Sequence, residues 1–588
     1  MKYSDQIADW LVEEGYTHCF FVAGGNNMHL VESLSRKLEC KACIHEVAAG
    51  IAAEYFNETS PESKALALVT AGPGLTNIIT SIAGAYLESR ELLVIGGQAK
   101  TSDLAHGQLR QNGIQEIGGV DIAKSICLNA ITMLEVWDKH KFFNEAHYFS
   151  NGRKGPVFIE IPLDLQATNV EFKSSKLDHD NARLPKISIA KCKHVVELIQ
   201  KSLRPVILLG GGVSRKTAQN LYHLFETIDI PIMTTWNAAD RIDSSHSNYA
   251  GRPNNWGQRR SNILQQQSDL LVAIGTRLGM QQTGFNWQEF MPVGKIIQVD
   301  IDEDELKKGH PKIDTGFRVD ANDFLGKILS ENLGEHKQWF DFCRSAMNEI
   351  PLIEDHEFES KNTYVSPHLV IKKMSQFLKK EDIVIPCSSG GVFSIMMQAF
   401  EQKYGQKIVT NKGLASMGYG LSGAIGASIA NPKRRVVLFE GDGGFAQNIQ
   451  EIGTAVANNC NLKIIIFDDN GYASIRMTQR TYFNGRYVGC DQNTGLGLPN
   501  WEALFKAWNV PVISIDHNVF KSNEYLEELD KNGVTAFIVK INPEQKYFPK
   551  ISSRVLENGS MESNPIHLMT PELSEELSSI VPLIFYLS

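Results

Sequence analysis

Short apolar runs, each ending in a glycine-rich or acidic turn, recur along this chain and constrain its fold more than any other feature. In a first stretch they are residues 19–22 before Gly24-Gly25, 65–70 before Ala71-Gly72-Pro73-Gly74, 92–95 before Gly96-Gly97, and 157–161. In a second they are 206–209 before Gly210-Gly211-Gly212, 270–274 before Gly275, and 296–301 before Asp302. In a third they are 383–385 before Pro386, 436–439 before Glu440-Gly441-Asp442, 464–467 before Asp468-Asp469, and 536–541. A run that is apolar throughout, rather than alternating, reads as a strand buried on both faces, and hence as parallel sheet covered by helices. Residues 5–14 carry the helical spacing expected of such a cover. The chain is therefore expected to be α/β, with three consecutive parallel-sheet domains at 1–170, 189–340 and 366–550. Residues 171–188, polar and lysine-rich, read as a linker, and 335–365, charged and helical, as a second connection. Residues 551–588, without a strand signal, read as a C-terminal arm or lid.

With 588 residues, 43% of them hydrophobic and 21% charged, the chain has apolar material for several cores. Its formal net charge of −9 argues against a protein that coats nucleic acid. No apolar run approaches the ~20 residues that span a bilayer. Met1-Lys2-Tyr3-Ser4-Asp5-Gln6 lacks the basic-then-apolar secretory pattern. A cytoplasmic protein without nucleic-acid or membrane partners is expected. The nine cysteines have no framework spacing and read as free thiols. Cys40 and Cys43 form a lone C-x-x-C with no second pair to complete a zinc site.

The sharpest chemical signal lies in the third stretch. Asp442 follows one apolar run, and Asp469, 469 − 442 = 27 residues later, follows the next. One crossover fits between them, so two adjacent parallel strands would bring both carboxylates to the carboxyl edge of the sheet, where α/β folds bind ligands. Asp442, Asp469 and the Gly471 carbonyl make an all-oxygen set suited to Mg²⁺ shared with phosphate. Gly441, Gly443 and Gly444 let the backbone close on that phosphate. A nicotinamide enzyme would need a clear G-x-G-x-x-G with an acidic partner, and no strand end supplies one.

This arrangement resembles the thiamine-diphosphate motif, in which GDG precedes an Asn-Asn pair by a fixed interval. Here the pair is Asp468-Asp469, so Asp469 stands where the family has a metal-binding asparagine. His45-Glu46-Val47-Ala48-Ala49-Gly50, Thr70-Ala71-Gly72-Pro73-Gly74-Leu75-Thr76-Asn77 and Gly413-Leu414-Ala415-Ser416-Met417-Gly418-Tyr419-Gly420 are similar to segments of acetolactate synthase and its relatives. The resemblance covers almost the whole chain. On residues 21–30, 104–116 and 552–569 it is closest to acetolactate-synthase-like carboligases of surface-polysaccharide and branched-sugar pathways.

The resemblance implies an N-terminal pyrimidine-binding domain, a central domain and a C-terminal domain binding diphosphate and Mg²⁺. It implies that Glu46 hydrogen-bonds the aminopyrimidine ring, that Gly25 faces the cofactor and that Gln115 lies near the substrate. Pro73 and Asn77 would border the cofactor, and Ser388, Ser389 and Gly390 would cradle its diphosphate. Ala415 would offer a carbonyl to the amino group, and Met417 would wedge between the two rings. Tyr472, Ala473, Ser474 and Ile475 would follow the metal motif into the site. Arg476 would bind a substrate carboxylate or phosphate, or else lie on the helix surface. Gly211, Gly212, Thr276, Arg277, Asp302 and Asp320 match landmarks of the domain that holds FAD in acetolactate synthases. Some relatives keep that domain without flavin, so FAD stays open.

The implied activity is decarboxylation of a 2-oxo acid, pyruvate first, and addition of the two-carbon unit to an acceptor carbonyl. That acceptor would be a 2-oxo acid or a keto-sugar nucleotide. The alternative is a decarboxylase that releases an aldehyde. Decarboxylases of that kind carry a His-His pair that this sequence lacks. Asp469 in place of asparagine leaves a third reading, a non-catalytic subunit. The family pattern also implies a homodimer or homotetramer with sites at subunit interfaces.

Overall fold

A computed structural model describes residues 1–60, 62–146, 152–172, 184–354, 363–556 and 559–582. Most of the 171–188 linker, and residues 355–362 of the second connection, lie outside the described residues. The described part of that connection is the helix Lys337–Glu349.

Three parallel sheets follow one another. The first contains β1 (Tyr16–Phe21), β2 (Glu39–Ala42), β3 (Lys64–Val69), β4 (Leu92–Gln98), β5 (Asn129–Thr132) and β6 (Pro156–Pro162), in the order β2-β1-β3-β4-β6-β5. The second contains β7 (Pro205–Leu209), β8 (Ile232–Thr234), β9 (Leu270–Ile274), β10 (Lys295–Asp300) and β11 (Thr315–Arg318), ordered β11-β10-β9-β7-β8. The third contains β12 (Ile383–Pro386), β13 (Lys407–Ile408), β14 (Val436–Gly441), β15 (Leu462–Asp468), β16 (Val512–Ile515) and β17 (Thr535–Lys540), ordered β13-β12-β14-β15-β17-β16. Every apolar run read from the sequence is an interior strand. Gly96 and Gly97, read as a turn, instead continue β4.

The first and third domains meet through two helices, Glu46–Thr59 and Tyr419–Ala430. A Cβ on Gly426 would lie 2.0 Å from the Ala52 carbonyl, so backbone packs directly on backbone there. All three domains converge on one ionic cluster. Arg215 of the second domain donates to Glu58 Oε1 of the first (2.6 Å), to its own domain's Asp240 (2.6 Å) and to the Ile408 carbonyl of the third (3.0 Å). Arg90 joins Glu54 (2.7 Å) to the Thr410 carbonyl (2.6 Å), and the Tyr419 hydroxyl donates to Glu54 (2.6 Å). Burial alone would raise the Glu58 acid; Arg215 and Arg90 pull it down to about 2.

The tail does contain short strands. β18 (Lys550–Ile551) pairs with β21 (Met569–Thr570), and β19 (Ser553–Val555) with β20 (Met561–Ser563), all antiparallel. Two- and three-residue strands are too short to leave a periodic signal. The tail packs on the middle domain: Arg259 donates to the carbonyls of Met569 (3.0 Å) and Pro571 (2.6 Å), and Asn262 to that of Ile566 (2.8 Å). His567 is buried there, and burial pushes its pKa from 6.5 down to about 4. An undocked tail would take up a proton between those values that the docked tail refuses. His567 therefore adds no proton penalty to docking above pH 6.5 and disfavours it by about 3 kcal/mol as the pH falls to 4. Proteolytic cleavage of the tail should rise through that window in the parent protein and stay flat in His567→Asn. Equal acid sensitivity in both would remove His567 as the cause. No described helix is long and apolar enough to cross a membrane.

Candidate active site

The first half-site lies at the carboxyl edge of the first sheet. β2 ends at Ala42, and after a three-residue turn Glu46 opens the helix Glu46–Thr59. His45 caps it, its Nδ1 accepting from the Val47 N–H (3.2 Å). The Glu46 carboxylate is buried and accepts from Asn77 Nδ2 at 2.9 Å. Asn77 is in the first turns of the helix Pro73–Leu87, which Pro73 opens. The preceding Gly72 has φ +63°, and a Cβ there would lie 2.4 Å from the Gln115 carbonyl. Only glycine fits, and Gln115 is thereby seated against the Pro73 turn. Gly25 starts a short turn whose Asn26 donates to the Ile114 carbonyl (3.2 Å), which stitches this loop to the Gln115 loop. Glu116 shapes the latter by accepting from the backbone N–H groups of Ala105, Asn112 and Gly113 (2.6, 3.1 and 2.9 Å). Burial alone would raise its pKa, but these donors outweigh it and hold the group below the usual range.

The second half-site lies at the carboxyl edge of the third sheet. β14 and β15 are neighbours in register, so Asp442 and Asp469 emerge side by side. Asp442 accepts from the N–H groups of Gly443 (2.7 Å) and Gly471 (2.9 Å). Gly471 has φ +143°, and a Cβ on it would strike the Cys490 carbonyl at 2.1 Å. Tyr472 lies against Gly443 and precedes the helix Ala473–Tyr482, along which Ser474 is half-buried and Ile475 exposed. Ser389 opens the helix Gly390–Ala399 after β12, and the Ser388 hydroxyl donates to the Ser416 carbonyl. This ties the Ser388–Gly390 loop to the segment carrying Ala415 (φ +57°) and Met417. The pKa of Asp442 is held well above its usual value by burial first, then by the charges of Asp469 and Asp468. Asp469 is pushed up to about 6 by burial, against the opposing pull of Arg476. Two buried carboxylates, a nearby backbone carbonyl and a glycine-lined rim form a hard, all-oxygen donor set. The residues present fit Mg²⁺ with a diphosphate.

Arg476 corrects the sequence reading. It is neither on the surface nor directed at a substrate: it is 2% exposed and donates to Asp469 Oδ1 (2.6 Å) and the Asp469 carbonyl (2.7 Å). Two further groups were not found from sequence. The buried Tyr547 hydroxyl donates to Asp469 Oδ2 (3.0 Å) from 78 residues away, a distance no local pattern reveals. Glu451, fully buried, accepts from the N–H groups of Ile44 (3.2 Å) and His45 (3.0 Å), the two residues before Glu46. An acidic residue between Ile449 and Ile452 was its available signal.

Within one chain the third domain reaches the first half-site through Glu451, at Ile44 and His45. Asn77, with Glu46, sits at the start of the helix Pro73–Leu87; Glu88, just past its other end, accepts from the Gly413 N–H (2.5 Å). Asn77 and Leu87 are about 15 Å apart along the axis at 1.5 Å per residue. Among the described residues no hydrogen bond or ion pair joins Glu46 to the second half-site.

In the middle domain, Gly210 and Gly212 pack on Gly275, where added Cβ atoms would lie 2.2–2.8 Å from its backbone, and Gly211 lies beside Asn237. Thr276 is buried, and the Arg277 carbonyl accepts from Lys308. Asp302 and Asp320 cap helices, accepting from Asp304 N–H (3.0 Å) and Asn322 N–H (2.9 Å). These contacts lie within the domain, with Gly211 and Arg277 exposed; flavin enters only through the resemblance.

Family profiles match the chain in three places. The N-terminal TPP binding domain of thiamine pyrophosphate enzymes matches residues 1–122, their central domain 192–328, and their C-terminal TPP binding domain 389–539. The acetolactate synthase isozyme 1 large subunit of Escherichia coli (strain K12) is 26% identical over 550 residues, covering 93% of this chain and 95% of that relative. Chloroplastic acetolactate synthase 1 of Nicotiana tabacum is 26% identical, covering 94% of this chain and 83% of its own. Chloroplastic acetolactate synthase 1 of Zea mays is 28% identical, covering 90% and 83%.

Proposed function

The chain belongs to the thiamine pyrophosphate (thiamine diphosphate) enzyme family and is an enzyme of the acetolactate synthase kind, and from that premise we propose that it decarboxylates a 2-oxo acid, pyruvate first, and joins the remaining two-carbon unit to an acceptor carbonyl. The acceptor class is a second 2-oxo acid or a keto-sugar nucleotide. The observation that carries this reading is the pairing of Asp442 with Asp469 on adjacent strand ends, inside a glycine-lined rim. When bound, thiamine diphosphate supplies the carbanion chemistry that retains the acyl carbon as CO₂ leaves.

Asp442, Asp469 and the Gly471 carbonyl would hold Mg²⁺, with Gly441, Gly443 and Gly444 beside the diphosphate. Ser388, Ser389 and Gly390, at the start of a helix, would cradle the diphosphate from its other side. Ala415 and Met417 would position the pyrimidine, followed by Tyr472 to Ile475. Glu46, oriented by Asn77, would hold and release the proton at the pyrimidine ring nitrogen. Pro73, Gly25 and Gln115 would border the reacting carbon and the substrate.

The family pattern favours assembly in trans, with Glu46 of one chain facing the metal motif of a second copy, and the lack of any hydrogen bond or ion pair between Glu46 and the second half-site among the described residues is consistent with it. Exposed apolar side chains beside both halves, Ile114 (82%) and Ile475 (45%), are consistent with such a covered face. The test is CO₂ release from pyruvate with thiamine diphosphate and Mg²⁺, with products identified by mass spectrometry with and without added acceptors. Acetolactate or an acceptor adduct supports ligation; acetaldehyde alone would replace it with simple decarboxylation. Visible absorption of the purified protein decides whether flavin occupies the middle domain.

A further inference from the structure

Asp469 is the chain's departure from the family motif, and its surroundings carry an inference that rests on the thiamine diphosphate and Mg²⁺ reading above. A second carboxylate beside a diphosphate adds a negative charge that the family's asparagine does not bring. Both oxygens of this carboxylate are already engaged: Oδ1 by Arg476 Nη2 at 2.6 Å, Oδ2 by the Tyr547 hydroxyl at 3.0 Å. The same Nη2 binds the Asp469 carbonyl at 2.7 Å, so one guanidinium clasps side chain and main chain together. Its remaining donors reach the carbonyls of Asn470 (3.2 Å), Cys490 (3.5 Å) and Pro543 (3.2 Å). Among the described residues Arg476 forms an ion pair only with Asp469.

We propose that Arg476 and Tyr547 are positioning residues that make Asp469 the electrical equivalent of an amide, a neutral and fixed oxygen donor to the metal. An aspartate–arginine pair carries the same net charge as asparagine. Oδ2 accepts only one proton donor and keeps a lone pair for the cation. The guanidinium is planar, and while Nη2 holds the Asp469 carboxylate and carbonyl, Nη1 and Nε are anchored on the carbonyls of Asn470, Cys490 and Pro543, so the charge is fixed in place by a spread of donors that the single nitrogen of a lysine could not span.

The consequence runs against motif logic: restoring the family's asparagine should harm the protein. Asp469→Asn leaves Arg476 buried without its partner beside a divalent cation. The test is calorimetric titration of thiamine diphosphate at saturating Mg²⁺ into the dialysed full-length protein, with thermal melts of each cofactor-free variant. Asp469→Asn and Arg476→Gln are each expected to weaken binding about tenfold or more, and the double variant to return to within about threefold of wild type. Arg476→Lys, which keeps the charge and loses the fork, should fall between.

Losses that multiply in the double variant, or an Asp469→Asn protein that binds as well as wild type, would overturn the proposal. Asp469→Asn is nearly isosteric, so it decides the matter even if the Arg476 variants do not fold. Wild-type protein that takes up no cofactor overturns the thiamine reading and this inference with it; wild-type uptake without coupling overturns this inference alone.

Discussion

Glu46→Gln is expected to lower CO₂ release from pyruvate by about a thousandfold, within the range for loss of a positioned acid–base group, while thiamine diphosphate still binds. The substitution is conservative where structure is concerned. A glutamine oxygen can still accept from Asn77 Nδ2, the bond that orients the native carboxylate at 2.9 Å. Glu451 grips the backbone before residue 46 and is untouched, so the turn keeps its shape. What disappears is a group able to take and return a proton. The measurement is steady-state CO₂ release beside calorimetric cofactor affinity for the same preparation. A rate within tenfold of wild type would mean that Glu46 handles no proton, and the catalytic assignment would fall.

Two inactive chains should restore activity to each other. Asp442→Ala removes a carboxylate from the second half-site, and Glu46→Gln disables the first. If one site draws Glu46 from one chain and Asp442 from the other, a purified heterodimer of the two variants has one of its two sites intact and should show about half the wild-type activity. Wild type paired with a chain carrying both substitutions has one defect in each site and should be nearly inactive. Differential tags allow both species to be isolated and assayed. No recovery in the first pair, with activity in the second, would place both halves of the site in one chain.

The sequence disclosed the interior of each sheet and nothing of its margins. β9 is apolar throughout, and β3 and β15 are so apart from Lys64, Lys463 and Asp468, because helices bury both of their faces, and each is legible from its composition. β2, β5, β8, β11, β13 and β16 all lie at sheet edges. β2 runs Glu-Cys-Lys-Ala with its ends exposed, and β13 is two residues long. Such segments are strands because a neighbour pairs with them, a property that local sequence does not carry. The candidate site divides the same way. Asp442 and Asp469 were legible because strand ends fix their place. Tyr547 was not, since it arrives from a distant loop, and Arg476 was misjudged because an arginine on a polar helix gives no sign of a buried anion facing it.

The cluster formed by Glu54, Glu58, Arg90, Arg215, Asp240 and Tyr419 bears on how such a chain can be divided or recombined. Its three sheets look like interchangeable modules, yet each leaves part of its charge and hydrogen bonding to the others. An excised middle domain would present Arg215 without Glu58 or the Ile408 carbonyl. A third domain grafted onto a foreign partner would leave the Tyr419 hydroxyl with no carboxylate to receive its proton. Exchange of any one domain therefore has to carry matching partners for these six residues, whereas substitutions and loop insertions away from the joint do not.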